Sequence, residues 1–141
     1  MLVVINTGVL ISGVLWTGLP HRLIELAEAG DITICASGEI LQEFREALSR
    51  PKFTSRIQGG LTTVEEIMQS VLRLAALYPA PPPVKVVQAD PDDDKFIACA
   101  LTAGAKYLIS GDSHLLDLEE HAGVNIVNVR EFLEQEFPSA L

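Results

Sequence analysis

The run Leu2-Val3-Val4-Ile5 constrains the fold more than any other stretch of this chain. Side chains of a strand alternate between the two faces of its sheet, so a strand apolar at every position must be covered on both sides. Residues 32–36 have the same character. The segments between such runs carry helical patterns. Residues 9–16 continue as a helix despite Gly13, and residues 21–29 place Leu23, Ile24, Leu26 and Ala27 at helical spacing before Gly30.

The same reading extends along the chain. Ser37 is the expected N-cap of a helix that runs to about Leu48 and stops before Pro51. A long helix is expected over residues 61–77, capped by Thr62 or Thr63 and ended by the proline run 79–83. Residues 84–87 read as a third strand. Asp94–Ala103 reads as a helix closed by Gly104, and residues 106–109 as a fourth strand. A short helix over 115–120, a strand over 125–127 and a helix over 130–137 complete the order β-α-α-β-α-α-β-α-β-α-β-α. Alternation of this kind implies α/β architecture, with a parallel sheet covered on both faces. No repeat or linker divides the chain, so residues 1–141 are expected to form a single domain.

Apolar content of 48% over 141 residues supports a substantial core, and no apolar run has the length of a membrane span. The first residues lack the basic flank of a signal peptide, which points to a cytoplasmic protein. Cys35 and Cys99 sit among apolar neighbours without paired spacing and are expected as buried free thiols. The net charge of −9 argues against a protein that grips nucleic acid by bulk charge. A local exception is the basic stretch Arg45, Arg50, Lys52 and Arg56, which could hold phosphates or simply form a solvated helix end.

The acids are the chemical feature. Asp90, Asp92, Asp93 and Asp94 crowd into five positions before an apolar helix. In open α/β sheets ligands bind beyond the carboxyl ends of the strands. Asn6, Asp90–Asp94, Ser110 and Asp112 all fall at such ends, and Glu43 lies one to two turns into the helix after strand two. Carboxylates gathered there suit Mg²⁺ or Mn²⁺, which bind phosphate oxygens and assist displacement at phosphorus. Each acid alone also has a plain reading as a helix cap, a turn residue or a solvated surface group. Trp16 is expected to pack, and His114 and His121 to lie at or near the surface. The chain has no zinc-spaced His/Cys set, Walker loop or Gly-x-Ser-x-Gly elbow.

Four segments together resemble a PIN domain, with the toxin components of toxin–antitoxin systems as the most similar group. They are Val3–Ser12, Ser37–Leu48 with Arg50-Pro51-Lys52-Phe53, Asp90–Ala100, and Ser110-Gly111-Asp112-Ser113-His114-Leu115-Leu116. The resemblance implies a three-layer α/β/α sandwich around a central parallel sheet of four to five strands. It implies a Mg²⁺- or Mn²⁺-dependent ribonuclease acting on RNA, an antitoxin partner and a homodimer. By position it carries the family's metal-binding acids onto Glu43, Asp94 (with Asp93 a close competitor) and Asp112, with Ser110 as support and His114 where many relatives have a further Asp. The family usually reads Asp-Thr-Asn where this chain reads Asn6-Thr7-Gly8, so Asn6 stands in for the first carboxylate as a neutral fourth ligand. That departure keeps open an inactive PIN fold that binds RNA or protein. A receiver-like or phosphatase-like domain is disfavoured, because those chemistries need an Asp nucleophile straight after strand one.

Overall fold

The computed structural model describes residues 1–79 and 93–141. A six-stranded sheet forms its centre, in the order β3-β2-β1-β4-β6-β5. The strands are β1 (Leu2–Ile5), β2 (Thr33–Ala36), β3 (Ala75–Leu77), β4 (Tyr107–Ile109), β5 (Glu120–His121) and β6 (Val124–Val127). Every pairing is parallel except β5 with β6. Val3, Val4 and Ile5 are 0%, 0% and 2% exposed. Successive strand residues face opposite ways, so helices cover the centre of the sheet on both faces, as a three-layer α/β/α fold requires.

The helices are α1 (Thr7–Leu15), α2 (Leu19–Glu28), α3 (Gly38–Leu48), α4 (Pro51–Gly59), α5 (Val64–Leu74), α6 (Asp94–Ala103), α7 (Ser113–Leu116) and α8 (Val129–Glu136). Local chemistry explains their ends. Ser37 caps α3 by accepting from the Ile40 amide, Thr63 caps α5 by accepting from the Glu66 amide, and Asn128 with Glu131 forms a reciprocal capping box on α8. Gly104, at φ +68°, closes α6 in the left-handed conformation. Gly13 has a packing role. A Cβ there would lie 2.9 Å from the Pro20 carbonyl oxygen, so α1 and α2 approach each other only because the side chain is missing.

The helix expected to stop before Pro51 ends at Leu48, and Pro51 then occupies the first turn of the unforeseen α4, where its missing N–H costs nothing. Three expectations change. The helix expected over 61–77 ends at Leu74, and Ala75–Leu77 instead pairs with Ile34–Ala36 as β3. Helix propensity is a weak prior against edge pairing of this kind. The helix expected over 115–120 is the shorter α7, and Glu120–His121 forms an antiparallel hairpin with β6 through Ala122 (φ +49°) and Gly123 (φ +90°). Among the described residues the sheet therefore has six strands against the four to five expected, with β3 and the antiparallel edge β5 both unforeseen. The strand expected over 84–87, and Asp90 and Asp92, lie outside the described residues.

Candidate functional site

The parallel order brings the carboxyl ends of β1 and β4 side by side. The Asn6 amide donates to the Ile109 carbonyl at 2.9 Å, and the Ser110 amide donates to the Val127 carbonyl at 2.9 Å. The chain leaves the sheet at these points, and the polar residues gather beyond them.

Ser110 is fully buried. Its Oγ accepts from the Asp112 amide at 2.9 Å, which fixes the turn after β4. Asp112 then caps α7, its Oδ1 accepting from the His114 amide at 2.8 Å. The same Oδ1 lies 3.8 Å from the His114 Nδ1. Asp93, at the start of α6, is only 7% exposed. One carboxylate oxygen each from Asp93 and Asp112 and one ring nitrogen of His114 lie within 4.8 Å of one another. Two carboxylates and an imidazole form a donor set that fits a divalent cation. The oxygens suit Mg²⁺ and Mn²⁺, and the nitrogen suits first-row transition metals.

An open cleft of about 610 Å³ adjoins this cluster. Asp93, Asp112 and Glu43 line it together with Thr7, Arg50 and Lys52. Glu43 does not stand alone in the wall. Its Oε1 accepts from the Lys95 Nζ at 2.6 Å, and its Oε2 accepts from the Thr7 hydroxyl. The pair is largely shielded, with the Lys95 and Glu43 side chains 16% and 29% exposed. Lys95 was not foreseen from the sequence. The signal was a cation in the first turn of α6, where the helix dipole disfavours it unless a carboxylate is near.

The remaining expected residues fall into different places. Asn6 is the N-cap of α1, its Oδ1 accepting from the Gly8 amide at 3.1 Å, and it is not among the residues lining the cleft. Asp94 opens α6 beside Asp93 and does not line the cleft either. Arg45 is engaged by Glu65 on α5. Arg56 donates through Nε to the Leu15 carbonyl at 2.7 Å, satisfying the end of α1. Of the four basic residues, Arg50 and Lys52 line the cleft together with the acids. Trp16, expected to pack, is 44% exposed at the cleft rim. His114 is exposed, as expected, and shares the donor cluster. Cys35 and Cys99 are free and buried, as expected.

Comparison with known proteins gives the family and the fold. The family model for the PIN domain matches residues 2–114, from the first strand to the last residue of the donor cluster. The solved structure of VapBC2 from Rickettsia felis bound to a DNA fragment from their promoter shares the fold. It has a TM-score of 0.60 and 12% identity, over 91% of this chain and 98% of that chain. No curated protein matches the chain in sequence. Among the described residues no helix is long and apolar enough to cross a membrane. With a match over that span, on a fold that sets Asp93, Asp112 and Glu43 around one cleft, the chain belongs to the PIN domain family.

Proposed function

We propose that this protein is a metal-dependent endoribonuclease of PIN type, the toxin of a toxin–antitoxin pair, acting in the cytoplasm as one domain of residues 1–141. The observation that carries the reading is the convergence of Asp93, Asp112 and His114 donors within 4.8 Å, beside a cleft lined by Glu43, Arg50 and Lys52. Asp93, Asp112 and His114 would hold Mg²⁺ or Mn²⁺. A divalent cation bound there supplies Lewis-acid stabilisation of a phosphoryl oxygen and lowers the pKa of water.

The chain's own groups divide the remaining work. Ser110 positions Asp112 through its backbone amide. Arg50 and Lys52 draw the phosphate chain into the cleft that the acids also line. Thr7 and Lys95 hold Glu43 at the wall, so its carboxylate is oriented before substrate arrives. By family likeness the protein works as a homodimer restrained by an antitoxin.

A second reading, a PIN fold that binds RNA or a partner without cutting, is favoured by two observations. Asn6 spends its side-chain oxygen on capping α1, and Glu43 already carries the Lys95 charge. Incubation with a mixed RNA pool and Mn²⁺ separates the two. Cleavage by the parent chain that disappears in Asp93→Asn or Asp94→Asn supports the enzyme and tells which acid matters. Cleavage that arises only after Asn6→Asp supports the binding module. No cleavage by the parent or by Asn6→Asp overturns the nuclease reading.

A further inference from the structure

We propose that the indole of Trp16 is a stacking platform for a base of single-stranded RNA, beside the phosphates that enter the cleft. The inference rests on the ribonuclease reading and adds to it the form of the substrate. Trp16 follows the last residue of α1 and is 44% exposed, an unusual position for the chain's largest apolar side chain.

Its surroundings hold the ring in place. The Arg56 guanidinium lies 5.3 Å from the ring centroid, and the Arg56 Nε is anchored on the Leu15 carbonyl at 2.7 Å. Phe53 meets the indole edge-on at 6.1 Å, with the rings inclined at 69°. Lys52 lies 5.0 Å from the Phe53 centroid. Trp16, Phe53, Lys52 and Arg50 all line the cleft that holds Asp112 and Glu43. Two adjoining aromatic rings with a cation on each thus line this part of the cleft, on a chain whose net charge is −9.

Charge complementarity selects a polyanion for this rim, and the exposed ring selects one with open π faces. Bases of a duplex are stacked on each other and offer only their edges. Single-stranded nucleic acid offers both phosphates for the cations and a base face for the indole, and such stacking tolerates any base. Arg56 contributes twice, by fixing the ring and by placing a cation over one of its faces, a base then stacking on the other. An aromatic segment of a protein partner could also cover an exposed indole, but the Arg56 guanidinium on the ring and the Arg50 and Lys52 side chains in the same cleft favour the nucleic acid.

Trp16 is the single tryptophan, so its emission reports on its own environment. The protein is titrated in EDTA with an oligouridylate and with a ribose-phosphate oligomer of equal length that lacks bases. We expect the oligouridylate to quench the emission and the abasic oligomer to leave it nearly unchanged. By fluorescence anisotropy of labelled oligomers, Trp16→Ala should weaken oligouridylate binding about tenfold without changing abasic binding, and Trp16→Phe should recover most of the loss. Equal quenching by both oligomers, or an unchanged affinity in Trp16→Ala, overturns the platform. If the emission instead follows protein concentration, the indole is covered by another copy of the chain and the proposal fails. RNA cleavage by the parent chain with no stacking signal would reject the platform and leave the nuclease reading intact. Absence of both cleavage and binding would reject the two together.

Discussion

Replacing Lys95 with Met should destabilise the fold and yet strengthen the cleft's hold on a divalent cation. Lys95 and Glu43 meet at 2.6 Å with side chains only 16% and 29% exposed. Fully exposed pairs contribute about 0.2–1 kcal/mol. Removing one partner of a fully buried pair costs about 3–5 kcal/mol. Shielding at this level lies between the limits, so Lys95→Met should cost about 2 kcal/mol, the Thr7 hydroxyl remaining as a partner for the carboxylate. In a chain of 141 residues each kcal/mol lowers the melting temperature by roughly 4 °C, giving a drop of about 8 °C by calorimetry or circular dichroism. The double-mutant cycle with Glu43→Gln should return a coupling of about 1–2 kcal/mol. Titration calorimetry should show tighter Mn²⁺ binding in Lys95→Met, because a carboxylate at the cleft wall has lost its counter-charge. A melting temperature within about 1 °C of the parent, with coupling below about 0.3 kcal/mol, would refute the argument that burial makes this pair consequential.

Four further outcomes follow from single features. Gly13→Ala should destabilise by about 1–3 kcal/mol in chemical denaturation, although alanine is the better helix former, because the new methyl meets the Pro20 carbonyl. The Lys106 ammonium and the Tyr107 hydroxyl hold the Glu136 carboxyl below its ordinary 4.5, so the folded state binds that proton less tightly than the unfolded state. The resulting stability is complete above the ordinary carboxylate range and lost as pH falls through the lowered value; denaturation midpoints of Glu136→Gln should therefore fall less on acidification than those of the parent. Burial pushes the Cys99 thiol up to about 12, so mass spectrometry after mildly alkaline iodoacetamide treatment should find it unmodified in the native protein and modified in denaturant. If Arg50 and Lys52 are the phosphate contacts, log affinity for single-stranded RNA should fall with log salt at a slope of roughly −1.4, and Arg50→Ala should bring it to about −0.7.

The architecture was legible wherever local chemistry and packing point the same way. β1 and α6 have the expected limits because one is apolar throughout and the other is bounded by acids and Gly104. The readings failed where long-range pairing decides. Residues 75–77 resemble the end of a helix until the edge of β2 is available beside them. The candidate site shows the same division. Asp93, Glu43 and Asp112 were identifiable as acids beyond strand ends, since strand order alone puts such residues at one edge. The choice between Asp93 and Asp94 depends on how α6 begins, and a rotation of one helical residue is invisible to composition. Lys95 and Thr7 escaped notice because their role is a contact with Glu43, which lies 52 and 36 residues away.

Those two contacts change what the missing carboxylate at position 6 means. A site of several acids ordinarily relies on a cation to relieve their repulsion, and losing one acid weakens its attraction for metal. Here part of that relief comes from the protein itself. Lys95 neutralises Glu43, while Arg50 and Lys52 line the same cleft as Asp93 and Asp112. Among the described residues three carboxylates thus stand with three cations, in a chain whose net charge is −9. Such a cleft approaches neutrality before any metal binds, so a polyanion meets less repulsion there than over the rest of the surface. The same balance leaves Asp93, Asp112 and His114 as the groups whose donors converge within 4.8 Å. Restoring a carboxylate through Asn6→Asp would keep the α1 cap, since aspartate caps as well as asparagine, and would tilt the cleft toward metal. The substitution therefore tests electrostatic balance with little disturbance of the fold: tighter Mn²⁺ binding at an unchanged melting temperature is the expected result, and equal binding would mean that position 6 lies too far from the donors to influence them.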